Sequence, residues 1–153
     1  MTLMTSPTAR ATMLIRRPVA EVFNAFVDPD VTTKFWFSRS TGRLVAGKAV
    51  TWHWDFYGAS GDVFVKALET NKRIAYEWPT PVEMTFTSRA NELTFVSVIA
   101  SGFTGTDDEK VSQALDSTEG FNLVLSACKV FLEHGIAPRI ISDKSPDGWV
   151  SGT

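Results

Sequence analysis

Residues 106–135, TDDEKVSQALDSTEGFNLVLSACKVFLEHG, carry one uninterrupted helical pattern. Thr106-Asp107-Asp108-Glu109 fits a capping box, in which a Thr hydroxyl and a Glu three residues on satisfy exposed amides reciprocally. Val111, Ala114, Thr118, Phe121, Leu125, Cys128 and Leu132 then recur every three to four residues and predict an apolar stripe down one face. Gly135 stands where a left-handed C-cap is wanted, and Pro138 forbids continuation. At about 1.5 Å per residue this helix spans about 40 Å, long enough to cross a whole sheet.

Upstream of it, Thr41 to Phe103 reads almost wholly as β. Ala46-Gly47-Lys48 predicts a turn, and Ala49 to Tyr57 a strand with Val50, Trp52, Trp54 and Phe56 on one face and Thr51, His53, Asp55 and Tyr57 on the other. Gly58 to Gly61 turns the chain, Asp62 to Thr70 returns, and Asn71-Lys72 makes the next hairpin. Ile74, Tyr76 and Trp78 share a face of the following strand, which Pro79 and Pro81 end. Val82, Met84 and Phe86 alternate with Glu83, Thr85 and Thr87, and Asn91 turns into a last strand. Before this meander lie one strand, Ala9 to Arg16, and two short helices. The first follows Pro18, with Val19, Val22, Phe23 and Phe26 at helical spacing; the second is capped by Asp28, with Pro29 at its first position. An antiparallel sheet with one apolar face needs a cover, and only the terminal helix is long enough. The expectation is an α+β chain in which a curved antiparallel sheet wraps a long C-terminal helix, with two short helices after the first strand.

The 153 residues fit one domain over 1–153, with a core of about 8–135 and a tail from 136 to 153 that shows no periodicity and wraps the surface. The chain is 44% hydrophobic and 21% charged, which places it among globular rather than disordered sequences. A net charge of −2 removes the electrostatic reason to bind nucleic acid. No apolar run approaches the roughly 20 residues that a membrane span needs. Met1 to Pro7 has neither a cationic start nor an apolar core and reads as a disordered lead-in, so the cytoplasm is the default location. With one cysteine, Cys128, and two histidines, His53 and His134, neither a disulfide framework nor a metal site is expected, and no cofactor is implied.

Several stretches resemble the SRPBCC superfamily, whose helix-grip fold is shared by START domains, the birch-pollen allergen and polyketide cyclases. They are Arg17-Pro18-Val19-Ala20-Glu21-Val22-Phe23-Asn24-Ala25-Phe26, Asp28-Pro29 and Phe35-Trp36-Phe37, then Glu69 to Ile74 with Glu77-Trp78, Ser117 to Phe121, and Phe131-Leu132-Glu133. Within the superfamily the resemblance is to homologues of the heat-shock chaperone ATPase activator, and it covers about residues 8–135. The tail after Gly135 is longer than that family leads one to expect. The resemblance implies a helix-grip fold and admits hydrophobic-ligand carriers, cyclases and chaperone regulators, so function has to be argued from the site.

Five Trp and eleven Phe in so short a chain point to an aromatic interior. Trp52 and Trp54 on one strand and Tyr76 and Trp78 on another form either plain core packing or a cavity wall, since indoles and phenols offer flat contact with a polar handle. Phe121 and Leu125 face them from the helix. Gly120 costs roughly 1 kcal/mol relative to Ala in a helix interior, and so marks room for a ligand, a close Trp or a kink. Ligand-contacting candidates are therefore Trp52, Trp54, Tyr76, Trp78, Phe86, Phe121 and Leu125, with Phe35 and Trp36 at the entrance and Glu119 as a polar group that could reach the cavity. Lys34-Phe35-Trp36-Phe37 reads as a fold over the cavity mouth, or else as a membrane-docking patch. His53 and Asp55 read as a solvated strand face, and Cys128 as a buried, inert thiol. No serine stands in a Gly-X-Ser-X-Gly setting, and the glycine turn at 58–61 lacks the Lys-Ser/Thr of a phosphate loop, so no catalytic residue is assigned.

The function expected is binding of a small apolar or amphipathic molecule, a lipid or an aromatic compound. Two alternatives stay open. A cyclase or aromatase would project Glu119 or His53 into the cavity, and a chaperone-regulating module would have a fully packed interior in place of a void above about 300 Å³. A homodimer through the sheet edge or the aromatic entrance is a further expectation.

Overall fold

A computed structural model describes residues 2–150. The elements, in chain order, are β1 (Ala9–Ile15), α1 (Val19–Val27), α2 (Pro29–Thr32), β2 (Arg39–Ser40), β3 (Ala49–Trp54), β4 (Ala59–Glu69), β5 (Arg73–Trp78), β6 (Thr80–Arg89), β7 (Leu93–Ala100), α3 (Asp107–His134) and α4 (Ile140–Asp143). The seven strands form one antiparallel sheet in the order β1-β7-β6-β5-β4-β3-β2. This is the α+β arrangement expected from the sequence, with α1 and α2 after the first strand and the long α3 last.

Alternation decides which face is inside. Val50, Trp52 and Trp54 of β3, Ile74 and Tyr76 of β5, Val82, Met84 and Phe86 of β6 and Val96, Val98 and Ala100 of β7 are all buried on the concave face. A register shift between Val65 and Ala67 of β4 bends the strand and curls the sheet there. Asn71 and Asn91 take the left-handed conformation that their hairpins require, with φ of 62° at each.

The helix caps follow the sequence closely. Asp28 Oδ1 accepts from the Asp30 N–H at 3.0 Å to start α2, and Thr106 Oγ1 accepts from the Glu109 N–H at 3.2 Å to start α3. Gly135 closes α3 with φ of 71°. The C-terminal half of α3 is bolted to the outer edge of β1. Lys129 Nζ donates to the Leu14 carbonyl at 2.8 Å, and Glu133 Oε2 accepts from the Arg16 N–H at 2.8 Å. These side chains occupy edge groups that would otherwise offer a template for another strand.

Three expectations are corrected. The third strand stops at Trp54; Asp55–Tyr57 instead forms a single 3-10 turn closed by Gly58 at φ 63°, so Phe56 does not continue the apolar face. Tyr57 therefore does not continue the strand face opposite the indoles; its ring meets Phe56 edge-on and its hydroxyl donates to the Ile141 carbonyl at 2.6 Å. The tail has structure, namely α4 and a 3-10 turn at Pro146–Gly148. The lead-in carries no regular element, although the Leu3 N–H donates to Asp107 Oδ2 at 3.1 Å. Met1 of the lead-in and residues 151–153 of the tail lie outside the described residues.

A candidate ligand cleft under the long helix

The indole wall is built across three strands. Trp54 stacks on Trp78 with ring centroids 5.3 Å apart and planes at 17°. These residues belong to β3 and β5, which are separated by β4, so the rings can meet only where β4 is small. Alternation places Ala59 and Gly61 at that spot, opposite Trp54 and Trp52 respectively. A Cβ on Gly61 would lie 2.6 Å from the Trp78 indole nitrogen, so glycine is what lets the indole lie over the strand.

The segment after α2 closes the cluster from the other side. Phe37 stacks on Trp52 at 4.8 Å, and Trp36 sits among Trp52 at 4.8 Å, Trp78 at 5.8 Å and Phe121 at 6.0 Å. Phe35 packs edge-on against Phe26 at 5.4 Å. All three aromatics of this run are buried, so they do not form an exposed membrane-docking patch.

In front of this wall lies a cleft of about 450 Å³, open to solvent. Trp36, Trp54, Trp78, Phe121 and Val124 give it apolar walls, and Gly120 of α3 lies in its lining. No atom comes within 4 Å of a Cβ built on Gly120, so the helix faces open space there. Tyr57, Ser60, Asp116, Ser117 and Lys144 supply the polar groups of the lining. A second cleft of about 490 Å³ runs between residues 33–38 and the segment around α4, and the two share Trp36 and Ile141.

Of the residues singled out from the sequence, Trp36, Trp54, Trp78 and Phe121 converge on the first cleft, and Phe35 lines the second. Trp52 and Tyr76 form the layer behind the walls, with rings 5.5 Å apart, and neither lines a cleft. Phe86 packs on Phe23 and Phe26 in the core under α1, and Leu125 is fully buried, so both stand apart from the clefts. Glu119 lines neither cleft and accepts from Lys144 Nζ, a lining group, at 2.8 Å. Gly61, Ser117, Val124, Ile141 and Lys144 had not been singled out; a glycine within a β run was the one local signal among them.

Electrostatics at the site are mild. The hydrogen bond that Lys144 donates to the Glu119 carboxylate raises the ammonium above its ordinary range. Burial pushes the Tyr76 phenol far up, and its hydroxyl is the one buried side-chain polar atom without a hydrogen-bond partner among the described residues. Burial likewise raises the Cys128 thiol, which keeps it protonated and unreactive. His53 sits on β3 opposite Ser60 and Arg39, on the convex side, away from the indoles. Among the described residues, no three His, Cys, Asp or Glu side chains gather closely enough to hold a metal ion, and no helix is long and apolar enough to cross a membrane.

Comparison with known proteins places these features in a lineage. The family model described as Activator of Hsp90 ATPase homolog 1-like protein matches residues 16–133. A Staphylococcus saprophyticus protein of known crystal structure is 33% identical, with a TM-score of 0.75 over 84% of this chain and 93% of that one. A Mesorhizobium loti protein has a TM-score of 0.73 at 20% identity, over 82% of this chain and 96% of that one. The Aha1 dimer from Colwellia psychrerythraea, solved in solution, gives 0.71 at 21% identity over 84% and 97%. The last two share the fold. No protein of curated function matches the chain.

Proposed function

This chain belongs to the family of Activator of Hsp90 ATPase homolog 1-like proteins, and from that premise we propose that it binds a small apolar or amphipathic molecule in the indole cleft. The observation that carries the reading is Gly120. A glycine in the middle of a 28-residue helix forgoes about 1 kcal/mol of helix stability, and here no neighbouring atom requires it. What the missing side chain provides is space in front of Trp36, Trp78 and Phe121. The cleft's volume falls in the range of roughly 300–1,000 Å³ typical of small-molecule sites, and its makeup matches theirs, with apolar walls and a few polar groups in the lining. Desolvation of the ligand against the indoles would supply affinity, and Tyr57, Ser117 and Lys144 would orient its polar end.

A cyclase-like activity has less to support it, because neither Glu119 nor His53 faces the cleft. The chaperone-regulating reading suggested by the family's name has less to support it as well, because it calls for a fully packed interior and the cleft measures about 450 Å³.

Native mass spectrometry of protein purified under mild conditions tests the reading. A bound small molecule that is lost on denaturation is expected, and it would reveal its chemical class. A bare mass, together with no thermal shift across a panel of lipids and aromatic acids, would overturn it and direct attention to the chaperone role. The same spectrum reads the oligomeric state and tests for a homodimer, the form in which the Colwellia protein was solved.

A further inference from the structure

We propose that residues 136–150 form a hinged strap that gates the indole cleft, with Ile141 as its plug and the Lys144–Glu119 pair as its latch. This deepens the ligand reading and rests on it for its purpose, while the opening itself can be measured without a ligand.

Four observations converge. The family model ends at residue 133, and the segment beyond it docks against the cleft. Ile141 lines both clefts and is the single buried residue of 136–150, so lifting it would join the two spaces along Trp36. Half-buried Ile140 packs beside it against the core, and polar ties hold the rest. Tyr57 Oη donates to the carbonyls of Ile141 and Ser142 at 2.6 and 3.1 Å, Lys144 Nζ meets Glu119 at 2.8 Å, and the Val150 N–H donates to the Phe56 carbonyl at 3.0 Å. Finally, two left-handed residues lie at the segment's N-terminal end, Gly135 at φ 71° just before it and Arg139 at φ 58° within it. Arg139 is a non-glycine residue in a conformation that persists only while its surroundings hold it. A segment with one fully buried residue, held otherwise by half-buried and exposed ties, opens at lower free energy than the sheet beneath it. By contrast, α3 carries six buried residues as well as its bonds to β1.

Hydrogen exchange on the full chain, wild type against Glu119→Gln, provides the test. Glu119 lines neither cleft, so the substitution weakens the latch and leaves the apolar walls intact, and a neutral probe does not read the freed Lys144 charge. Residues 140–150 should exchange faster than β5 and β6 in the wild type. In the variant their exchange should rise about two- to fivefold, the range for a partly exposed ion pair, with the sheet unchanged. The stopped-flow on-rate of the neutral fluorophore N-phenyl-1-naphthylamine should rise by the same factor. Strap exchange no faster than that of the central strands would overturn the proposal, and so would a faster strap with an unchanged on-rate. If the fluorophore binds neither protein, the ligand reading falls, and acrylamide quenching decides the strap, with both chains carrying Trp149→Phe. Quenching of the cleft indoles that rises with Glu119→Gln supports the gate, and quenching that does not rise overturns it.

Discussion

Gly120→Ala should make this protein more stable, and Gly120→Leu should weaken ligand binding. The first expectation follows from the helix alone. Gly120 lies well inside α3, its φ is not left-handed, and a Cβ there meets no atom within 4 Å. The alanine therefore recovers the backbone entropy that glycine loses, about 1 kcal/mol, with no clash to offset it. For a chain of this size that corresponds to a rise of about 2–4 °C in melting temperature. The second follows from where the side chain goes. A leucine at 120 occupies space in front of Trp36, Trp78 and Phe121 that a ligand would use. A ligand that loses contact equivalent to two methylenes forfeits about 1.6 kcal/mol, or roughly a fifteenfold loss of affinity. Thermal unfolding gives the first quantity, and titration with N-phenyl-1-naphthylamine the second. A Gly120→Ala protein that melts lower than wild type would show that the space is not free. A Gly120→Leu protein that binds the probe as well as wild type would show that this cleft is not the site.

Gly61→Ala should destabilise by about 1–3 kcal/mol and lose the near-ultraviolet circular dichroism of the Trp54–Trp78 stack, because its methyl falls 2.6 Å from the Trp78 nitrogen; a wild-type spectrum would refute the packing argument. Tyr76→Phe should raise stability by about 1 kcal/mol in denaturant unfolding, since it removes a buried hydroxyl without a partner and keeps the ring against Trp52; a loss would mean that the hydroxyl is satisfied. Glu133 is desolvated, which raises its carboxyl, yet bonds from Lys129 and the Arg16 N–H outweigh this and hold it below its ordinary value of 4.5. A depressed folded value gives stability that is present above the unfolded value and lost as pH falls through the folded one, so Glu133→Gln should cost about 1.5 kcal/mol at pH 7 and progressively less below pH 4.5; an equal cost at both ends would contradict the linkage.

The parts of the fold visible in the sequence are those that short-range rules govern. Alternation gave the concave face of β3, β5 and β6, and side-chain caps placed the starts of α2 and α3 at Asp28 and Thr106. The site was less visible because its geometry depends on residues distant in sequence. Gly61 looks like part of a turn until Trp78 is laid across it from the neighbouring strand. Glu119 adjoins Gly120, but consecutive helical residues diverge by about 100°, so one lines the cleft while the other turns to Lys144. Phe86 and Leu125 follow the correct apolar pattern, which cannot separate burial in the core from exposure to a cavity. The tail lacks periodicity because α4 is a single turn with one apolar anchor, Ile141, too short to leave a repeat.

The two halves of α3 then divide the work between stability and binding. Beyond Asn122 the helix is fastened to β1 by Lys129 and Glu133, and Leu125, Ala127 and Cys128 are fully buried. Before it, the helix is held near its start by the Thr106 cap and by Gln113 Nε2 donating to the Thr104 carbonyl at 2.7 Å. Between these ends, Asp116, Ser117 and Gly120 face a cleft instead of a packed neighbour, and Phe121 alone carries the contact with Trp36 and Trp78. A helix fastened to β1 through its second half and open to the cleft on one side can keep a cavity in place without threatening the fold, because widening that cavity leaves the Lys129 and Glu133 bonds to β1 intact. The cost of the open space falls on Gly120 and on a single layer of aromatic contacts, which is why the predicted effects of substitution at Gly120 run in opposite directions for stability and for binding.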